Sequence, residues 1–237
     1  MTPPTPDRTL LSWSGGKDSA LALQRLRADP SVRVEALLTT VTDVYDRVSM
    51  HGVRRALLEA QAAAVGLPLR IVRIPPGCTN AEYEQRFGGA LAAWAADGGH
   101  AVAFGDLFLA DVRAYRERLV AEHASALAPR FPLWGEATGA LARRFVADGF
   151  RATLVCVDPR QIPAACCGRA YDAALLDALP ATADPCGERG EFHTFVHDGP
   201  GFARAVPVRA GEVVERDGFW FADLLPEETP EGAHLGR

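Results

Sequence analysis

The sequence predicts an α/β fold in which a doubly wound parallel sheet is followed by a smaller mixed α/β domain. Two observations predict the sheet. Up to about residue 130, apolar strand-like runs alternate with amphipathic helical patterns, and a glycine-rich turn joins the first run to the first helix. A third observation predicts the smaller domain, because from Asp184 onward glycine and proline interrupt short strand-like runs.

The first half of the chain contains four predicted strand and helix pairs. The first helix places Ala20, Leu21, Leu23 and Leu26 on one face, the second is ended by Gly66, and a double proline ends the third strand. The strands are predicted at residues 9–13, 32–41, 67–75 and 100–106, and the helices at 18–27, 51–66, 81–96 and 110–127.

The second half begins with a short FPLWG segment, followed by a predicted helix at 138–148 and a strand at 151–158. Three further strand-like runs, at 191–199, 203–211 and 218–224, predict a small mixed or antiparallel region. We place a domain boundary near Arg130, which divides the chain into residues 1–130 and 131–237.

Composition argues against several classes of protein. Hydrophobic residues make up 48% of the chain, but no apolar run is long enough to cross a bilayer and no signal peptide is evident, so we expect a cytoplasmic protein without membrane contacts. A net charge of -5 with scattered arginines argues against nucleic acid as a partner. The five cysteines lack metal-binding spacing and are expected to be free thiols.

The turn SGGKDS at residues 14–19 has the features of a phosphate-binding loop. Gly15 and Gly16 let the backbone approach an anion at the start of a helix, and Ser14 and Ser19 offer hydroxyl groups. Lys17 is the only lysine among 25 cationic residues, and a slim ammonium suits this crowded turn better than a guanidinium. Asp18 is a candidate ligand for Mg²⁺.

The turn resembles the SGGxDS signature of the PP-loop ATPases, also called N-type ATP pyrophosphatases. That resemblance implies a domain that binds ATP and Mg²⁺, grips the β and γ phosphates and leaves the α phosphorus open to attack. By the same resemblance, Ser14, Gly15, Gly16, Lys17, Asp18 and Ser19 contact the nucleotide.

Four further stretches are similar to the diphthine-ammonia ligase family: DPCGERGEFHTFVHDGPGF from Asp184, MHGVRRALLEAQAAAVGLPL from Met50, FGDLFLADVRAYRE from Phe104, and FPLWG from Phe131. The resemblance covers nearly the whole chain. It implies an ATP-binding domain at 1–130 that faces a substrate-binding domain at 131–237 across a cleft. The expected reaction is adenylation of a carboxylate followed by its amidation with ammonia.

The family's acidic motif falls on Glu188 and Glu191, which are candidates for the polar group near the amine, with Lys17 and Asp18 acting at the phosphates. A third acidic position of the ligases that make diphthamide is His193 here, which suggests another substrate. Glu191 and His193 alternate with Phe192 and are therefore expected to share a strand face. The arginine-rich composition is typical of a GC-rich bacterium, where diphthamide is not expected, so the substrate stays open between a small molecule and a protein carboxylate.

Five other residues each have a functional and a structural interpretation. Gly105 and Asp106 end a predicted parallel strand, where doubly wound folds bind ligands, and either contact a nucleotide or metal or form a turn. Arg113 and Arg116 lie on one side of a helix and either bind an anion or face solvent. His51 lies near the end of the second strand and is either structural or near the nucleotide.

Two other functions are alternatives to an amide ligase: a PP-loop enzyme that modifies tRNA, and an ATP-binding regulatory module without turnover. The acidic charge disfavours the first, and the presence of both the SGGKDS loop and the Glu188/Glu191 pair disfavours the second. The sequence does not reveal the oligomeric state, and a homodimer is compatible with it.

Overall fold

The computed structural model describes residues 5–44, 46–48 and 52–227, and it contains two β-sheets. The first sheet has five parallel strands in the order β4-β2-β1-β5-β6, with the short antiparallel β3 paired to the end of β2. The predicted doubly wound parallel sheet is confirmed. Its strands are β1 Asp7–Ser12, β2 Val32–Thr42, β3 Arg47–Val48, β4 Leu69–Ile74, β5 Ala101–Ala103 and β6 Ala128–Arg130.

Helices cover both faces of this sheet because neighbouring residues of its strands point to opposite sides. Leu11 belongs to a buried cluster with residues of α1 and α2, whereas Leu10 packs in a second cluster with residues of α3 and α4. These helices are α1 Lys17–Ala28, α2 Arg55–Val65, α3 Asn80–Ala96 and α4 Ala110–His123.

The second sheet is antiparallel throughout, in the order β8-β7-β10-β9. It confirms the expected smaller C-terminal domain. Two helices and a short 3-10 turn accompany it: α5 Thr138–Ala147, α6 Ala173–Ala178 and Ala164–Cys166. Its strands are β7 Arg151–Val157, β8 Phe192–Asp198, β9 Val208–Arg216 and β10 Phe219–Pro226.

Several predicted boundaries differ from the structure. The fourth helix ends at His123 instead of continuing to residue 127, because Ala124 leaves helical geometry at φ -153° and ψ 56°, and the chain then forms β6, which the sequence analysis missed. The run at 203–211 becomes a strand only from Val208. The second helix begins at Arg55, and His51 lies outside the described residues.

The proposed domain boundary near Arg130 falls between β6 and α5, but the hydrophobic core does not divide there. Leu21 and Leu58 from the first half and Leu154, Phe195 and Val196 from the second half belong to one buried cluster. Strand β8 therefore packs directly against α1 and α2. In the part of the chain described, no helix is long and apolar enough to span a membrane.

An ion-pair network also joins the two sheets. Asp223 of β10 accepts hydrogen bonds from Arg54 Nη2 at 2.6 Å and from Arg47 Nη1 at 2.9 Å. Burial alone would raise the pKa of Asp223, but the hydrogen bonds from Arg54 and Arg47 lower it to about 2. The carboxylate is thus held in its charged form at the contact between β10 and the loop before α2.

We expect Asp223→Asn to lower the free energy of unfolding at pH 7 by about 1–2 kcal/mol, between typical values for exposed and buried ion pairs. The difference in the free energy of unfolding between wild type and variant should disappear as the pH falls from 3.8, the ordinary pKa of an aspartate, to about 2. The carboxylate of the folded protein becomes protonated only near that lower pH. Denaturant titration at several pH values measures this. The matched control is Asp177→Asn, which removes the ion pair between Asp177 and Arg143. Both of these side chains are 65% exposed, so the control should have little effect. Equal destabilisation by both variants at pH 7 would contradict a special role for Asp223.

Candidate active site

The glycine loop between β1 and α1 is shaped by close packing at Gly15. This residue has φ +80°, and a Cβ atom there would lie 2.6 Å from Leu58 Cδ2 and 2.7 Å from Gln61 Oε1. Both the backbone conformation and the lack of space therefore require glycine. The carbonyl of Gly15 accepts hydrogen bonds from Val196 N at 2.9 Å and from Gln61 Nε2 at 2.9 Å.

Gln61 is a functional-site residue that the sequence analysis missed. Its side chain is fully buried and also bonds to Trp13 Nε1 at 2.9 Å and to the Val196 carbonyl. It thus holds the end of β1, the glycine loop and β8 together. A signal was present, since Gln61 is a polar residue on the buried face of an otherwise apolar helix, where an unpaired amide would be costly.

A residue of β8 caps the first turn of α1. Lys17 N donates to Thr194 Oγ1 at 3.1 Å, while the preceding Gly16 has no side chain to provide a cap. Within the loop, Ser19 Oγ donates to the Gly16 carbonyl at 2.8 Å, and Gly16 N donates to Ser14 Oγ at 3.3 Å. The helix end that is expected to bind phosphate is therefore fixed by a residue more than 170 positions away.

Lys17, which is buried, forms an ion pair with the partly exposed Asp18, with Nζ 2.8 Å from Oδ2. Burial lowers the pKa of Lys17, but the negative charges of Asp18 and Glu188 outweigh this effect and raise it, so the ammonium stays charged. Burial raises the pKa of Asp18, although Lys17 opposes the shift. The side chain of Asp18 is 30% exposed, and that exposed part faces into a cleft.

The cleft lies between the glycine loop, the end of β5 and the segment that leads into β8. Its volume is about 300 Å³, at the lower end of the range for small-molecule sites. The predicted residues that line it are Ser14, Gly16, Lys17, Asp18, Ser19, Gly105, Asp106, Glu188 and His193. Gly15 lies behind the loop instead, where its carbonyl contacts β8.

Gly105 brings the two aspartates of the cleft together. A Cβ atom on Gly105 would lie 3.1 Å from the backbone of Asp18, so the end of β5 packs closely against the start of α1. Oδ1 of Asp18 and Oδ2 of Asp106 are both buried, and neither accepts a hydrogen bond from any residue that the structure describes. Burial raises the pKa of Asp106, and the nearby Arg116 opposes the shift.

These orphaned carboxylate oxygens fit a hard cation. Mg²⁺ is usually held by one or two carboxylates, with phosphate oxygens and water completing its shell. Among the described residues there is no group of three or more His, Cys, Asp or Glu side chains that could hold a metal. The site is therefore suited to a metal that arrives with a phosphate ligand, and unsuited to a closed structural metal.

Glu188 lines the cleft from the segment that leads into β8. Its Oε1 accepts from Leu107 N at 2.9 Å, which ties the segment before β8 to the loop after β5. Burial raises the pKa of Glu188 to about 7, and the Leu107 hydrogen bond only partly offsets this. Near neutral pH the carboxyl group can therefore either accept or give up a proton.

Glu191 differs from the expectation. It is 1% exposed and does not line the cleft, and its Oε1 and Oε2 accept from Asp184 N at 2.7 Å and Arg189 N at 2.9 Å. Glu191 precedes β8, so it does not share a cleft-facing strand side with His193. Its side chain thus bonds to both ends of the segment that carries Glu188.

His193 lines the cleft beside Lys17, and the Phe192 ring lies 5.8 Å from Lys17 Nζ. Phe192 is 2% exposed and belongs to the buried cluster, and its ring also forms part of the cleft wall. Burial, with a smaller contribution from the charge of Lys17, lowers the pKa of His193 to about 4. The imidazole is therefore neutral at physiological pH.

The two arginines of α4 that the sequence analysis considered have different surroundings. Arg116 lines the cleft, whereas Arg113 stacks between Phe131 and Trp134, at 4.8 and 4.7 Å from the ring centroids, and bonds to Glu117. The two arginines, three residues apart on one helix, are thus separated by packing. His51 cannot be placed, since it lies outside the described residues.

All five cysteines are free, and one of them, Cys186, lines the cleft. Burial raises the pKa of Cys186 to about 12, despite the nearby Lys17, so the thiol is neutral. A neutral thiol is a poor nucleophile. Cys166 and Cys167 do not line the cleft, which makes sulfur transfer by these residues a poor fit to the site.

Comparison with known proteins agrees with this geometry. Residues 7–124 match the family model described as Diphthamide synthase N-terminal domain, and residues 138–224 match Diphthamide synthase C-terminal domain. Among curated proteins, none gives a significant match. Each of the two matched regions contributes one wall of the cleft. The chain therefore belongs to the diphthamide synthase family, the diphthine-ammonia ligases of the PP-loop ATPase type, which are ATP-dependent ligases.

Proposed function

We propose that this protein uses ATP to adenylate a substrate carboxylate and then transfers ammonia to it, releasing pyrophosphate and AMP. One observation carries the proposal: the glycine loop and Glu188, from the two family domains, face the same cleft. Cleavage of ATP and attack by ammonia must act on one carboxylate, so the groups for both steps need to lie within reach of it.

The chemistry explains why ATP is needed. A carboxylate is a poor electrophile and hydroxide is a poor leaving group, so ammonia does not displace it in neutral water. Attack of the carboxylate oxygen on the α phosphorus forms an acyl adenylate and breaks the bond to pyrophosphate. Ammonia then attacks the acyl carbon, the C–N bond forms, and AMP leaves with the electron pair of the broken C–O bond.

Lys17 and the first turn of α1 are proposed to hold the β and γ phosphates. The ammonium of Lys17 stays protonated, and the N-terminus of a helix stabilises negative charge. Both interactions strengthen as charge builds up on the departing pyrophosphate. Ser14 and Ser19 place hydroxyl groups at the same wall of the cleft.

Asp18 and Asp106 are proposed to hold Mg²⁺ through their unbonded oxygens, Oδ1 and Oδ2. When bound, the metal would neutralise phosphate charge and orient the polyphosphate chain. Asp18 is held by its ion pair with Lys17, and Arg116 lies near Asp106, with Nε 3.8 Å from Oδ2.

Glu188 is proposed to accept the proton that nitrogen loses during amide formation. Its pKa of about 7 allows it to be ionised in a useful fraction of molecules and still bind a proton. Glu191 positions the segment that carries Glu188. His193 is neutral and is proposed to contact the substrate without adding charge to a cleft that already holds several carboxylates.

The substrate is proposed to be a bacterial carboxylate, small or protein-borne, and not diphthine. Two features support this: His193 replaces an acidic residue of the ligases that make diphthamide, and the chain is almost free of lysine. We expect the reaction in the cytoplasm, where the five free thiols would stay reduced.

The product of ATP cleavage tests the proposed reaction. Purified protein with Mg-ATP, an ammonium salt and a cell extract rich in small carboxylic acids should form AMP and pyrophosphate, measured by chromatography. Formation of AMP should depend on ammonium and on the fraction of the extract that contains the substrate acid. The Lys17→Met variant, as a control, should form no AMP. ADP as the product would contradict the mechanism, and tight ATP binding without turnover in any extract would favour a regulatory module.

Lys17→Met should weaken ATP binding by about 1.5–3 kcal/mol, the range for a hydrogen bond to a charged group. Isothermal titration calorimetry with Mg-ATP measures the change. Lys17→Arg keeps the charge but places a broad guanidinium in a position that is only 3% exposed, so we expect it not to restore affinity. Wild-type affinity in both variants would place the phosphates elsewhere.

The raised pKa of Glu188 predicts opposite effects of Glu188→Gln on activity and on stability. Between its ordinary value of 4.5 and about 7, the folded protein binds a proton that the unfolded chain releases, so stability from this group is lost as pH rises. Glu188→Gln should therefore melt at a higher temperature than wild type at pH 8 but not at pH 5. Its kcat should also lack the rise through about pH 7 that we expect for wild type.

Glu191→Gln is the contrasting variant. It replaces one of two acceptor oxygens with an NH₂ group facing a backbone N–H, so it should lower the melting temperature at both pH values. If Glu188→Gln and Glu191→Gln gave the same pH dependence, the separate roles of the two residues would be wrong.

A further inference from the structure

The arginines of α4 differ in how well their charge is matched. Arg113 bonds to Glu117 at 2.8 Å, and Arg118, which is 55% exposed, bonds to Glu84 at 3.0 Å. Arg116 lies between them in sequence and lines the cleft, but its nearest carboxylate oxygen, Asp106 Oδ2, is 3.8 Å from Nε. That distance is too long for a hydrogen bond.

Arg116 is held rigidly although its hydrogen-bonding capacity is little used. Its guanidinium lies 5.1 Å from the Phe104 ring centroid and 5.8 Å from that of Tyr115. Within the described residues, its hydrogen bond is a long one of 3.5 Å from Nη1 to Tyr83 Oη, and Nε is buried without any. The Arg116 side chain is 23% exposed, so most of this under-bonded cation is withdrawn from water, which is costly and indicates a ligand that completes its bonding.

The charges of the cleft form a row. Lys17 pairs with Asp18, Gly105 packs against Asp18, and the next residue, Asp106, faces Arg116. The order is therefore cation, carboxylate, carboxylate, cation. A chain of phosphates that lies along this row would meet a cation at each end and could share a metal with the carboxylates between them.

We propose that Arg116 is a second phosphate-binding residue, which binds the pyrophosphate portion of the nucleotide beside Asp106, as Lys17 does beside Asp18. A planar guanidinium donates two parallel hydrogen bonds to the oxygens of a phosphate, and stacking on Phe104 keeps it in one orientation. The assignment rests on the proposed binding of ATP in this cleft. A substrate carboxylate is the alternative ligand for the Arg116 guanidinium.

Binding measurements with phosphate probes test the assignment. Isothermal titration calorimetry should show that Arg116→Gln weakens binding of Mg-pyrophosphate and Mg-ATP by about 10- to 100-fold, as loss of charge-assisted hydrogen bonds requires, and leaves AMP binding within about twofold. Arg116→Lys should recover part of the affinity, since it keeps the charge but not the fork. Arg118→Gln, on the same helix and exposed, should match wild type.

Unchanged pyrophosphate affinity in correctly folded Arg116→Gln would overturn the assignment and favour a carboxylate at this position. Wild-type protein that fails to bind Mg-pyrophosphate would overturn it too. A test without mutation guards against misfolding: Mg-pyrophosphate should protect Arg116, but not Arg118, from modification by phenylglyoxal, as read by mass spectrometry. Equal modification with and without pyrophosphate would count against the assignment.

These outcomes are separate from those of the proposed function. ADP as the nucleotide product, together with lost pyrophosphate affinity in Arg116→Gln, would reject amide ligation and retain Arg116 as a phosphate ligand. Formation of AMP together with unchanged pyrophosphate affinity in Arg116→Gln would retain amide ligation and reject Arg116 as a phosphate ligand.

Discussion

The site depends on the carbonyl of Gly15, where three parts of the chain meet. It accepts hydrogen bonds from Val196 of β8 and from the buried Gln61 of α2, in a backbone conformation open mainly to glycine. Thr194, two residues before Val196, caps the start of α1. The start of α1, where we propose that phosphate binds, is therefore built by both halves of the chain, and neither sheet could present it in this geometry alone.

This arrangement explains why the core does not divide at the boundary between the two halves. The hydrogen bonds at Gly15 lie over a single apolar cluster that includes Leu58 and Phe195. The Arg47–Asp223–Arg54 network adds a polar link at the other edge of the contact. Because the walls of the cleft are joined both at Gly15 and at Asp223, its charged groups can stay at fixed distances from one another. Fixed charges of this kind favour the stabilisation of a transition state.

The acidic residues of the segment before β8 have separate roles because their surroundings differ. Glu191 accepts two backbone N–H groups and is fully enclosed, whereas Glu188 reaches the cleft with one such bond and a pKa near 7. One carboxylate holds the segment and the other is available for proton transfer. Asp184 extends the same framework, since it accepts from Cys186 N and from Thr138 of α5.

The sequence by itself determined the fold class, the position of the glycine loop and most of the first sheet, because periodic apolar runs and glycine–proline signals are local properties. It also brought Lys17, Asp18 and Glu188 into one site through the similarity of their motifs. Tertiary structure alone decided that Glu191 supports rather than faces the cleft, that Arg116 enters it while Arg113 does not, and that Gln61 and Thr194 complete the loop. These outcomes depend on which backbone groups and rings from distant parts of the chain contact each side chain, and local sequence patterns do not specify such contacts.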